Sequence, residues 1–269
     1  MDKEQFKKLA KDPRFIPGIY NYCDRWCERC TFTSQCMNYA LSKDELDSPE
    51  SKDITNHAFW DNLHSIFQVT LEMIKETAEE MGIDLNAIDP EEFAEQEELV
   101  HKMVKDQPHT KAALAYADLV KKWFDSNEDL LKNKAEEFLM LARAEIPGTR
   151  IDKDALKIRD YLEIVRWYQH QIHVKFCRAA SGMIRGELED VEYFPEDANG
   201  SAKVAIIGIE RSIAAWGGLL LQFPDQENTI LDVLVALKKL LRQVDAAFPD
   251  ARAFIRPGFD ARKRFNDKR

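Results

Sequence analysis

The chain has 269 residues, 45% of them hydrophobic and 32% charged, with a formal net charge of -10. That supplies enough apolar surface for one large core or two smaller ones, which excludes disorder as the default. The acidic excess disfavours a nucleic-acid or anionic-membrane partner for the body of the protein, since both require a basic face.

The opening stretch, Met1 to Lys8, lacks the apolar run of a secretory signal, and a cytoplasmic protein is expected. Residues 1 to 12 read as a short polar helix. Pro13, Pro17 and Gly18 then force an extended approach to the segment Tyr20 to Cys36, which holds four of the five cysteines and is ringed by Phe15, Tyr20, Tyr22, Trp26 and Phe32. Ser42 to Asp53, rich in Ser, Asp, Glu and Lys, reads as a linker. Thr55 or Asn56 can cap a helix that runs to about Met81, with Gly82 in the left-handed position beyond its end. Trp60, Leu63, Phe67, Leu71 and Ile74 give that helix an apolar face. Asp61 is its only formal charge between Asn56 and Leu71, which predicts burial on more than one side.

Asp89-Pro90-Glu91-Glu92 is a helix start: the aspartate caps, the proline loses no bond, and the acids oppose the dipole. Pro108 should interrupt this helix and Thr110 cap the next, whose buried stripe is Ala112, Tyr116, Leu119 and Trp123. A further helix is expected from Asn127 to Ile146, ended by Pro147-Gly148. Asp152 or Asp154 opens the longest segment, to about Gly182, with Ile158, Leu162, Val165, Ile172 and Phe176 on its apolar side. Gly186 to Gly200 reads as a polar loop. Ser201 can cap a helix carrying Ala202, Ile206, Ile209, Ile213, Trp216 and Leu220. Past Pro224, Ile230, Leu234, Leu237, Leu241, Val244 and Phe248 repeat that spacing, so the two helices should form a hairpin. Gly217-Gly218 lies inside the first of them and marks close helix packing.

No run alternates with strand periodicity, so the fold class is all-α: a helical bundle of about six to eight helices with an N-terminal Cys-rich metal-binding segment docked on it. Residues 1–42 form that segment, 43–54 a linker, 55–250 the bundle and 251–269 a basic C-terminal tail. The tail holds seven basic residues against two acids, +5 on a body of -15, and is read as docking on the protein's own acidic surface. The longest apolar run, Ile213 to Leu221, falls well short of the ~20 residues that span a bilayer, and no membrane partner is expected.

Cys23, Cys27, Cys30 and Cys36 are spaced C-x3-C-x2-C-x5-C. Four thiols this close in a reducing compartment are ligands to one metal centre rather than two disulfides. They can complete a tetrahedral zinc site or a [4Fe-4S] cluster, and the uniformly short inserts lean toward the wider cube. Cys23-x3-Cys27-x2-Cys30 resembles the spacing in radical S-adenosylmethionine enzymes, where three thiolates leave one iron open for the cofactor. That resemblance implies a β/α barrel and an aromatic residue before the last cysteine. This chain has Arg29 there, no strand pattern, and Cys36 to close the open iron. The run from Cys27 to Cys36, C-x2-C-x-aromatic-x3-C with Phe32 as the aromatic, resembles part of the iron staple of helicase-linked nucleases. The upstream cysteine and β-rich core of those enzymes have no counterpart here.

A second site is legible more faintly. Glu163, His170, His173 and Cys177 fall on one stripe of the longest helix. Asp61-Asn62-Leu63-His64 and Glu98-Leu99-Val100-His101 resemble the Glu-x-x-His fragments of ferritin-like di-iron proteins, a resemblance in which Glu163 and Glu210 would be the single acids. The reading that carries most weight is a structural, partner-binding or electron-transfer module built on the four cysteines, with an unidentified protein as its partner. The alternative is a metal-dependent redox enzyme with a second metal at Glu163, His170, His173, Glu210, Asp61 and His64.

Overall fold

The computed structural model describes residues 3–45, 53–87, 89–144, 151–189 and 193–260. The protein is 80% helical, with nine α-helices and no strand among the described residues. It divides into two compact units, Met1–Glu98 with Ile255–Arg269, and Leu99–Phe254.

The first unit contains α1 (Lys3–Ala10), two single 3₁₀ turns (Cys27–Arg29 and Thr33–Gln35), α2 (Met37–Glu45), α3 (His57–Glu80) and the first residues of α4 (Pro90–Asp106). Local chemistry sets its helix ends. The Asn56 side chain accepts the Ala58 N–H at 3.0 Å and caps α3. At the other end Gly82 adopts φ +70° and the Ile83 N–H returns to the Ala78 carbonyl at 2.8 Å, the closure that only a left-handed residue allows. Asp89 accepts the Glu91 N–H at 2.9 Å and starts α4 with Pro90 in the first position.

Two expectations fail in this unit. Ser42 lies within α2 rather than in a linker; residues 46–52 of that stretch lie outside the described residues. Helix α3 is not buried on more than one side: Trp60, Phe67, Leu71 and Ile74 are all exposed, Phe67 to 59%. A scarcity of charge therefore signals an apolar surface here and not a core.

The second unit holds the rest of α4, then α5 (Pro108–Ser126), α6 (Glu128–Arg143), α7 (Ile151–Glu189), α8 (Tyr193–Gln222) and α9 (Glu227–Ala247). Pro108 takes the first turn of α5, with Gln107 at the cap position, so Thr110 sits inside the helix and is buried. The expected end of α6 at Ile146-Pro147-Gly148 lies outside the described residues. The larger correction concerns Gly186 to Gly200. Helix α7 continues to Glu189 and α8 starts at Tyr193, which leaves Ser201 mid-helix and fully buried. Ala198, Gly200, Ser201 and Ala202 are all buried, and burial of this small-residue face overrides their weak helix propensity.

Helices α7 and α8 make the most extensive pairing in the protein. Val165, Tyr168, Ile172 and Phe176 of α7, and Ala205, Ile209 and Trp216 of α8, are buried in this core. Two glycines set how closely the backbones approach. A Cβ at Gly208 would lie 2.8 Å from the Tyr168 ring and one at Gly218 only 2.3 Å from the Tyr161 ring, whereas one at Gly217 would meet nothing. Trp216 packs edge-to-face on Trp123 of α5 at 5.0 Å and donates its indole N–H to the Tyr116 hydroxyl. The expected α8–α9 hairpin is present, turned by the short Pro224–Gln226 connection, with Ile230, Val233, Leu237 and Val244 buried.

Among the described residues, one stretch, Glu196–Gln222 of α8, is long and apolar enough to cross a membrane by length and composition. It is the core helix of this unit, and half of its most apolar window is buried. At the start of the tail, Arg252 donates to Asp245 and Glu210, both at 2.8 Å. Residues 261–269 lie outside the described residues.

Gly218→Ala should lower unfolding stability by about 1–3 kcal/mol because the Tyr161 ring must move. Gly217→Ala should leave it unchanged or raise it by up to about 1 kcal/mol. Urea titrations of the two variants followed by far-UV circular dichroism measure the difference.

Candidate metal centre

The four clustered cysteines all border one narrow hollow in the first unit, with a free volume of about 30 Å3. The chain reaches this arrangement through short turns. Arg25 takes a left-handed φ of 58°, unusual for a residue with a side chain, and bends the loop between Cys23 and Cys27. The Cys30 N–H then bonds the Cys27 carbonyl and the Cys36 N–H bonds the Thr33 carbonyl, closing the two 3₁₀ turns. Cys36 opens directly into α2.

Hydrogen bonds already address two of the sulfurs. The Phe32 amide donates to Cys30 Sγ at 3.4 Å, and the Cys23 thiol donates to the Tyr20 carbonyl at 3.5 Å. Burial pushes the Cys27 thiol pKa up, and the neighbouring Cys23, Cys30 and Cys36 sulfurs and the Glu28 carboxylate push it further. Among the described residues no group of three or more His, Cys, Asp or Glu side chains is arranged to hold a metal ion. The thiols thus share a hollow without being gathered at one ion.

Sequence reasoning missed the wall that the far end of the chain supplies. Phe259 lines the hollow and packs edge-to-face on Phe32, ring centroids 5.0 Å apart. Arg256 lies over the Phe259 ring at 4.9 Å and is fixed by Asp260 at 3.0 Å. Gly258 makes this approach possible: its φ is +76°, and a Cβ there would sit 2.8 Å from Ile19. Pro257-Gly258 ahead of an aromatic was the available signal, a turn within an otherwise basic tail.

The second set of candidates does not assemble. His170 is exposed, Glu163 lies 3.6 Å from Arg159, and Glu210 is exposed and bonded to Arg252 rather than to a histidine. Asp61 and His64 are exposed on α3, with Asp61 beside His57 at 3.7 Å. Glu98 and His101 are exposed on α4. What does meet is His173 and Cys177. The His173 Nδ1–H donates to the Thr110 carbonyl at 3.2 Å, which leaves Nε2 to accept from the Cys177 thiol at 3.5 Å. Burial raises the Cys177 pKa, and the thiol packs beside Val100, Val104, Ala180 and Ile184, so it is held as a neutral, structural group.

Comparison of the chain with family models, with curated proteins and with solved structures gives no match.

The raised Cys27 pKa has a pH signature. A group whose folded pKa lies above its unfolded value contributes stability that is present at neutral pH and is lost as pH rises through the folded pKa. Chelator-treated protein should therefore lose hydrogen-exchange protection over residues 19–36 above about pH 9. Cys27→Ser should show a weaker loss over the same range.

Proposed function

We propose that the chain is a four-cysteine metalloprotein in which Cys23, Cys27, Cys30 and Cys36 ligate one [4Fe-4S] cluster, and that the cluster closes the N-terminal segment and serves as an electron-transfer or partner-binding module. The observation that carries this reading is the convergence of all four clustered thiols on one hollow, where burial and then the repulsion of the other three sulfurs oppose a Cys27 thiolate. A bound cation would turn that repulsion into ligation and release the thiol protons.

Two further features support it. The inserts between the cysteines are short, and the Phe32 amide is aimed at Cys30 Sγ. The segment also buries little of its own: between Pro13 and Cys36 only Ile19 and Tyr22 are buried. A fold with so few buried side chains gains its closure from a metal centre. Zinc is the second reading, favoured by the narrowness of the hollow, since a single ion needs less room than a cube.

Anaerobic purification with iron, sulfide and zinc analysis decides between them. Four irons and four sulfides per chain, with a brown chromophore, are expected. One zinc per chain would select the second reading, and neither metal beside four titratable thiols would overturn both.

Replacing Cys27 or Cys30 by Ala should abolish metal loading and loosen the segment while the Leu99–Phe254 unit stays folded. Hydrogen exchange measures this. Unchanged protection across Tyr20 to Phe32 would show that the centre does not hold the segment.

A further inference from the structure

A second concavity in the first unit has the opposite chemistry to the cysteine hollow. It is a groove of about 790 Å3 between α1, α2 and α3, continued by the chain just past Gly82. That volume falls within the ~300–1,000 Å3 of small-molecule sites. Phe6 of α1, Leu41 of α2, and Val69, Met73 and Ile74 of α3 form its apolar walls. The remaining lining is Ala, Met, Ile and Leu, with Asn38, Ser42, Thr70 and Thr77 as the polar groups, and none of the described residues that line it is charged. Two of those polar groups turn back on their own helices: the Thr70 hydroxyl donates to the Ile66 carbonyl at 2.7 Å and the Ser42 hydroxyl to the Tyr39 carbonyl at 2.9 Å.

Beside the groove, two cations of α1 pair with one acid of α3. Lys3 and Lys7 of α1 both reach Glu76 of α3, each at 2.7 Å. Hydrogen bonds from the two ammonium groups hold the Glu76 pKa below the usual carboxylate range, and the bond to Glu76 raises that of Lys3. The double pair fastens α1, with Phe6, along α3, and the described lining itself offers an ionised ligand no charged partner. This surface therefore fits an uncharged, apolar occupant and rejects a charged one, since an ion entering it would lose water without gaining a partner.

We propose that the α1–α2–α3 groove binds a neutral, apolar small molecule. Neither its lining nor its charge pairing involves a cysteine, so dye binding and metal content are separate readouts.

The test titrates the purified full chain with Nile red, a neutral apolar dye. Saturable binding of one dye per chain with a blue-shifted emission is expected, displaced by 1-decanol and at least about tenfold less well by decanoate at a pH where it is ionised. Ile74→Arg places a charge in the groove and should weaken dye binding at least about tenfold, and Thr77→Trp, which fills it without a charge, should do the same. Leu71→Arg is the control. Leu71 is exposed on the same helix and lies outside the lining, so its change should leave the affinity within about twofold. Circular dichroism confirms that each variant is folded. Non-saturable binding, equal displacement by decanoate, or equal loss in Leu71→Arg would overturn the proposal; the last would mean that the dye reports the open apolar face of α3 or its contact with a second copy of the chain.

Discussion

Four sulfurs around one narrow hollow cannot all be anions unless a cation joins them. Two like charges about 4 Å apart at an effective dielectric of about 20 cost about 4 kcal/mol. Burial pushes the Cys27 pKa up first, and the other three sulfurs act in the same direction. The surrounding structure is arranged around that constraint. A left-handed Arg25 and two 3₁₀ turns bring the sulfurs to a common hollow, and Phe259 covers it from the other end of the unit's sequence. A segment that buries only Ile19 and Tyr22 before Cys36 has little else to hold those turns in place. Under the proposed ligation the same sulfurs would become its strongest internal connection.

The helical unit depends on a different constraint, the closeness of two backbones. Gly208 and Gly218 leave room on α8 for the rings of Tyr168 and Tyr161 of α7, and Trp216 anchors the same helix against Trp123 and Tyr116. Helix α8 owes its membrane-like hydropathy to this position. A helix packed along its length must be apolar around much of its circumference, whether its surroundings are lipid or other helices. Lys203 shows the difference: inside the apolar stretch, it is satisfied by the Phe254 carbonyl.

Much of the fold was legible because its signals are local. Asn56 and Gly82 bound α3, Asp89-Pro90 start α4, and the period of Ile230 to Val244 gives the buried face of α9. What failed depended on partners distant in sequence. Gly186 to Gly200 has the composition of a loop and becomes helix because burial of its small-residue face outweighs propensity. The uncharged face of α3 looked like a core because composition records apolarity and not what covers it. The same limit applies to the chemistry. Four cysteines within one short segment are bound to be neighbours, but a stripe on one helix says nothing about what a second helix brings. His173 found Thr110 and Cys177, while Glu210 found Arg252.

Helix α2 joins the two concave sites of the first unit. At nine residues it is too short to be stable alone, so what lies on its faces must hold it. Cys36, immediately before it, and Tyr39 line the cysteine hollow, whereas Asn38, Leu41 and Ser42 line the groove. Successive residues on a helix turn by about 100°, so Leu41 lies about 160° around from Tyr39, while Ser42 lies only about 60° from it. Ordering the hollow therefore fixes one wall of the groove, and an occupant of the groove packs the far side of the helix that leads away from Cys36. Both faces therefore contribute to holding one helix that neither site contains whole.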